Sequence, residues 1–423
     1  MTEALGQLAL IWTAVFVAVA AARRTRLTPV LFFLMIGVLM VNSGLLPEQP
    51  DPFIRGFSEL GIIIIMFALG FEESTSNFLQ SIKKSWGIAL FGAIAPFFTA
   101  YWIADYFWQD TNLALMCGLA MTATAVSLTM VSLKSEGLQN SPVATRIMTS
   151  AVLDDIGALV MVAILVPLAS GEQVPSVQGI ALIVAKMVAF FILVSAAGAW
   201  LLPHESNSWI GRLPLIRHIN AQSILSFEKG EYATLAVLLL ALALGLLAHF
   251  LGFHPAVGAY MAGLIIKEEY FKGRDAYAST KRTVDNAAFA WIGPVFFVQL
   301  GTHIQFDWQL FVSLIPQTLL MVGGLFVAQI VSASMAARYT SGMDWPASLM
   351  IGCGMLGRAE LAFVILDIAY VEHQIISKEA FYTLMFTAFW LNVLLPLTMG
   401  FIKPFYHPNS VSDAEPDELK HGG

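Results

Sequence analysis

Thirteen apolar segments follow one another along this chain, at 5–22, 28–46, 56–72, 84–105, 112–132, 142–168, 177–200, 231–251, 254–267, 287–304, 308–337, 344–370 and 378–402. Nearly all are long enough to cross about 30 Å of hydrocarbon. Inside a bilayer every backbone polar group must be paired within the protein, so a series like this folds as helices. Of the 423 residues, 57% are hydrophobic and 12% charged, about half the charged share of a soluble domain. The predicted fold is an all-α polytopic membrane protein with about 13 transmembrane helices. The ninth segment is short and is expected to break at Gly258 and Gly263. No strongly basic domain is present, which excludes nucleic acid as a partner. The N-terminus lacks a basic leader and a small-residue cleavage site, so it is expected to stay as a helix. Cys117 and Cys353 fall in apolar segments, where small buried hydrophobes are expected rather than a disulfide framework or a zinc site.

Positive charge predicts the orientation. Seventeen Lys and Arg fall in the loops after odd-numbered segments and in the tail, against Arg55 and Lys378 on the opposite side. The N-terminus is therefore expected outside and the C-terminus in the cytoplasm, in a prokaryotic inner membrane. The longest loop, 201–230, is expected to be cytoplasmic and to join two halves.

Those halves show faint similarity. Leu115-Met116-Cys117-Gly118-Leu119-Ala120-Met121 in the fifth segment matches Leu349-Met350-Ile351-Gly352-Cys353-Gly354-Met355 in the twelfth at four of seven positions. Thr149, Leu153 and Asp154 in the sixth segment share their spacing with Thr387, Leu391 and Asn392 in the thirteenth. Segments 1–6 start outside and segments 8–13 start inside, so the second unit is predicted to be inverted. Secondary transporters use this architecture, with ion sites beside interrupted helices at the repeat interface.

Asp154 and Asp155 sit side by side in the apolar stretch from Ile147 to Leu168. A carboxylate at that depth costs several kcal/mol, so such acids face a cavity, a partner or a transported ion. Neighbours on a helix point about 100° apart, so one aspartate can line an ion cavity while the other reaches a partner. Thr122-Ala123-Thr124-Ala125-Val126-Ser127 holds hydroxyls that can support unwound backbone or back-bond within an intact helix. Gly352, Gly354 and Gly357, followed by Arg358-Ala359-Glu360, permit a second break. Arg358 and Glu360 need partners, either each other or the opposite crossing, and a structural ion pair is preferred to direct ion binding. Lys186 lies deep in the seventh segment and could pair with Glu59 or Asp154, or draw in water. Asp367, Asp105 and Glu72-Glu73 are expected near the interfaces, and Gln299, Gln317 and Gln329 are expected to bond between helices. His249 and His254 flank a tight turn near the outer surface.

Four motifs carry a family resemblance. Ser150-Ala151-Val152-Leu153-Asp154-Asp155-Ile156-Gly157, the Thr122–Val126 run, Pro294–Gly301 and Gly357–Phe363 together resemble the monovalent cation:proton antiporters. The closest group is the second branch, with its thirteen-helix Na⁺/H⁺ antiporters and Kef-type systems, and the likeness runs from about residue 28 to 400. It implies two crossed, broken helices and a homodimer, with dimerisation or scaffold parts at 1–83 and 171–306. The ion-binding core would lie at 84–170 and 307–402, and a cytoplasmic tail at 403–423. It also implies that Asp155 binds the monovalent cation or the proton, that Asp154 is its partner, and that Thr124 lies at the first crossing. Arg358 and Glu360 match a charged pair in the second broken helix. Gln329 falls where electrogenic members carry a lysine, so exchange is expected to be electroneutral unless Lys186 replaces that partner. Kef-type nucleotide gating is not expected from the short tail.

The expected function is antiport of Na⁺, or of Li⁺ or K⁺, against protons. Crowding two carboxyls in a low-dielectric site makes the second ionisation costly, so proton and cation compete for the same oxygens. No enzyme activity or cofactor is expected. The alternative, a sodium-coupled symporter of an organic solute, needs a roomier polar cavity. An intramembrane aspartyl protease needs facing aspartates, which neighbours on one helix cannot supply.

Overall fold

In a computed structural model, the described residues are 2–25, 28–47, 49–72, 75–125, 141–170, 231–271, 273–358 and 360–406, with parts of 128–138 and 182–226. Most of the seventh segment, most of the 201–230 loop and the tail beyond Tyr406 lie outside them, as do Val126, Ser127, Glu73 and the side chain of Glu72. The fold is helical throughout, with no strand among the described residues.

The described residues form fifteen α-helices: α1 Thr2–Thr25, α2 Pro29–Asn42, α3 Pro52–Glu72, α4 Thr75–Trp108, α5 Thr111–Ala120, α6 Pro142–Ala169, α7 Ala233–Phe250, α8 Pro255–Ile265, α9 Arg274–Asn286, α10 Gly293–Thr302, α11 Trp308–Ser313, α12 Ile315–Thr340, α13 Trp345–Gly354, α14 Glu360–Asp367 and α15 Lys378–Ile402. Seven are long and apolar enough to span a membrane, and α2, α5 and α8 are shorter apolar helices. Prolines open α2, α6 and α8, where a missing N–H costs nothing. Asp110 and Asp344 cap α5 and α13, each accepting backbone N–H groups of the first turn.

The helices pack in two groups. Close contacts join α2 to α10, α3 to α8 and α7 to α8 in one, and α4, α5, α6, α12, α13 and α15 in the other.

The ninth segment departs from expectation. α8 is unbroken, and its glycines serve packing instead. A Cβ on Gly258 would collide with the Leu244 carbonyl of α7, and one on Gly263 with the Phe67 carbonyl of α3. The missing side chains let three backbones meet.

The fifth and twelfth segments do break. α5 and α13 are each ten residues long, and each ends in a turn at a methionine, Met121 or Met355. Non-helical backbone follows at Ala123–Ala125 and Leu356–Arg358.

Candidate functional site

The two interrupted segments meet. Ala125 donates its backbone N–H to the Gly357 carbonyl at 2.9 Å, and the Thr129 hydroxyl lies 2.8 Å from the Gly354 carbonyl. Gly357 is required at the contact, because a Cβ there would stand 2.9 Å from that of Ala125. Helix breaks free carbonyls and amides that must find partners when buried, and here donors of the first break serve carbonyls of the second. Thr122 back-bonds to the Gly118 carbonyl at 2.9 Å, capping the end of α5 rather than sitting within an intact helix.

Asp154 and Asp155 lie on α6 beside this crossing, 2% and 4% exposed. Thr124 donates its hydroxyl to Asp154 Oδ2 at 2.9 Å. Asp154 Oδ1 is buried and has no hydrogen-bond partner among the described residues. Such an oxygen is costly to leave unpaired, and it can take a proton or a desolvated cation.

Of the two partners expected for Arg358, the opposite crossing is the one it meets. It is fully buried, and its Nε donates to the Met121 carbonyl at 2.9 Å. Nη1 reaches the carbonyls of Met355, Leu356 and Gly357 at 2.9–3.3 Å. Nη2 donates to Gln329 Oε1 at 2.6 Å. None of these bonds goes to Glu360, so the expected mutual pair is not what holds the guanidinium. The reason is positional: the carbonyl ends of two half-helices converge on Arg358, each carrying partial negative charge, while Glu360 begins α14 with its side chain buried.

Gln329 is fully buried on α12. Its Nε2 donates to the Gly92 carbonyl of α4 at 3.2 Å, and its Oε1 serves Arg358. It therefore bonds between helices, whereas Gln299 bonds to Thr302 within α10. Lys186 has an exposed side chain and forms no ion pair with a described residue. Of its expected partners, Glu59 pairs with Arg55 at 3.3 Å.

Sequence reasoning missed Asn392 as a site residue. Fully buried on α15, it accepts the Arg358 backbone N–H at 2.8 Å and donates to the Arg358 carbonyl. Its signal was present, since it is the repeat counterpart of Asp154.

A cavity of about 490 Å³ opens between the two helix groups, lined among others by Arg55, Glu59, Val162, His254 and Glu372. Val162 stands two turns beyond Asp155 on α6, so the cavity approaches the aspartates from one side. His254 caps α8 by accepting the Ala256 N–H, and its Nε2 lies 3.2 Å from Glu372 Oε1. Among the described residues, no cluster of three or more His, Cys, Asp or Glu is placed to hold a metal.

Comparisons with known proteins bear on the fold and the family. The chain is similar to a Na(+)/H(+) antiporter of Enterococcus hirae, 24% identical over 411 residues, covering 96% of this chain and all of that one. It is 25% identical to the Na(+)/H(+)-K(+) antiporter GerN of Bacillus cereus over 338 residues, covering 78% and 79% of the two chains. Its fold resembles the sodium proton antiporter MjNhaP1 of Methanocaldococcus jannaschii, with a TM-score of 0.67, 15% identity and coverage of 95% and 98%. The family model described as "Sodium/hydrogen exchanger, transmembrane" matches residues 11–402. With a match of that extent, this integral membrane protein belongs to the sodium/hydrogen exchanger family, within the monovalent cation:proton antiporters.

Proposed function

We propose that the protein is a secondary active antiporter exchanging a monovalent cation, Na⁺ foremost, for protons by alternating access. The observation that carries this reading is the buried Asp154-Asp155 pair beside two crossed helix breaks, with Asp154 Oδ1 lacking a partner. Asp155 serves as the shared cation and proton site. Asp154, oriented by Thr124, is its partner. Related chains named as Na⁺/H⁺ antiporters support the substrates. The group α4–α6 with α12–α15 acts as the ion-carrying core, and the group around α2, α3, α7, α8 and α10 acts as a scaffold through which two copies form a homodimer. The N- and C-termini are assigned to the outside and the cytoplasm by the basic loops.

Exchange is electroneutral in this reading. Gln329 carries no charge, so it supplies no ammonium to hold Asp154 ionised, and one proton leaves Asp155 for each cation bound.

The experiment is reconstitution in vesicles free of organic solute, with an imposed Na⁺ gradient and internal pH as the readout. Proton movement driven by Na⁺ is expected, and its absence in well-folded protein overturns the antiport reading. Li⁺ and K⁺ run in parallel rank the cations.

A further inference from the structure

Besides the ion path, the structure holds a second cavity of a different kind. It has a volume of about 420 Å³ and lies between α2 and the segment after α10 on one wall and α12, α14 and α15 on the other. Its lining is almost wholly apolar, with Phe311 and Phe386 in edge contact at 4.5 Å and Phe363 at its inner end. It opens sideways, since Leu39, Leu319 and Trp390 on its rim are 61%, 67% and 51% exposed. Volume and lining are those of a small-molecule site, about 300–1,000 Å³ and mostly apolar with few polar groups.

One polar feature marks the mouth. Gln305 lines this crevice, and its Oε1 accepts from Lys378 Nζ at 3.4 Å. The ammonium also stands 5.5 Å from the Tyr382 ring. Lys378 borders a neighbouring cavity that holds Asp367 and Glu372, yet it forms an ion pair with neither. It is half-buried, and its ammonium forms no ion pair with a described residue, although Glu59 also borders that neighbouring cavity. From Lys378 to Trp390, α15 descends about 18 Å at 1.5 Å per residue. One leaflet of hydrocarbon is about 15 Å deep. The crevice therefore begins at a charged rim and ends near the bilayer midplane.

We propose that this crevice binds one anionic phospholipid from the leaflet on the Lys378 side, with its phosphate on the Lys378 ammonium and one acyl chain between α2 and α15. The reading is independent of the ion exchanged. It places a lipid tail between the two helix groups, where their relative displacement would compress it.

The test uses the full chain in phosphatidylcholine vesicles, titrated with phosphatidylglycerol whose acyl chains are brominated at mid-chain. Bromine quenches nearby tryptophan, and the difference from a Trp390→Phe variant isolates Trp390. Quenching of Trp390 should saturate well before the bromolipid dominates the bilayer. Lys378→Gln should weaken this affinity by about fivefold, the usual contribution of one basic side chain to an anionic lipid, and Lys378→Arg should restore it. Quenching that rises only in proportion to the bromolipid, or saturation that survives Lys378→Gln, overturns the proposal. So does equal saturation by brominated phosphatidylcholine. Equal quenching by a brominated free fatty acid assigns the crevice to that ligand instead and also overturns the phospholipid reading.

Discussion

The Thr124 hydroxyl donates to Asp154 at 2.9 Å across the first crossing, and the second half of the chain repeats this relation with other atoms. The register that aligns Leu115 with Leu349 also aligns Thr124 with Arg358, and a register four residues longer, shared by Thr149 and Thr387, aligns Asp154 with Asn392. In the second half the Arg358 backbone N–H donates to Asn392 Oδ1 at 2.8 Å. In each half a residue of α6 or α15 holds the unwound backbone or side chain of its own break.

Thr124→Val keeps the shape and removes the donor. Asp154 Oδ2 then loses its partner, at a cost of about 1–3 kcal/mol. The expected outcome is a lower melting temperature and a raised KM for Na⁺, with Thr124→Ser close to the native protein. A native KM in the valine variant would remove Thr124 from the site.

Asp155→Asn should abolish exchange while the protein still folds. The amide takes no proton at working pH and offers the cation no anionic oxygen, whereas losing an intramembrane charge relieves desolvation. Sodium-driven proton flux by monodisperse Asp155→Asn protein would contradict the assignment.

Arg358→Ala leaves the carbonyls of Met121, Met355 and Leu356 without this donor, and Gln329 Oε1 with them, while the Gly357 carbonyl keeps the Ala125 N–H. A loss of about 3–5 kcal/mol is expected, as when one member of a buried charge network is removed. Arg358→Lys should not rescue, because one compact ammonium cannot span the ends of both half-helices. A thermal melt of the two variants decides it, and a lysine variant as stable as the native chain would count against this geometry.

Gln329→Lys tests the charge balance. The new ammonium would face the Arg358 guanidinium, which now lies 2.6 Å from Gln329 Oε1. Two buried cations at that range repel, so stability should fall by several kcal/mol, and the change should not create an electrogenic exchanger. For the native protein, a potential imposed on vesicles with equal Na⁺ and equal pH on both sides should drive no proton movement. Movement that requires both Na⁺ and the potential would sink the electroneutral reading.

Much of the crossing was legible because its causes are local. Glycines clustered at 352–357 and hydroxyls at 122–127 mark backbone that can leave the helix, and the breaks fall there. Which of its two expected partners Arg358 meets was not legible, since backbone carbonyls become acceptors only once both helices stop and meet. Gly258 and Gly263 misled for a related reason. A glycine in an apolar helix signals either a break or a close approach, and only the position of α3 and α7 distinguishes the two. Asn392 was visible as a repeat match, but its grip on Arg358 depends on α15 passing behind the break.

Glu372, past the end of its span, gives the chain a dependence on pH. Burial pushes its carboxyl upward, but the hydrogen bond and charge of His254, with His373 and Arg55, outweigh burial and hold it below its ordinary value. Glu59, Asp367 and His249 also border the cavities it faces. A carboxyl depressed in the folded state adds stability above its unfolded value, about 4.3, and loses it as pH falls through the folded value. The pair is partly exposed, so about 0.5–1 kcal/mol is expected. Native protein should lose that increment below about pH 4, and Glu372→Gln should lack it at pH 5, where an ordinary imidazole is charged. Parallel melting curves across that range would contradict the pair's contribution.

The contrast between Asp154 and Asn392 has a further consequence. The two repeated halves set Asp154 and Asn392 at corresponding positions, but the two side chains differ in kind. A carboxylate can change its charge, whereas an amide keeps its neutrality at every pH the cell meets. The half that carries Asp154, with Asp155 beside it, therefore brings ionisable oxygens to its crossing, and the other brings the neutral amide of Asn392. Symmetry of the backbone is kept while symmetry of the chemistry is given up.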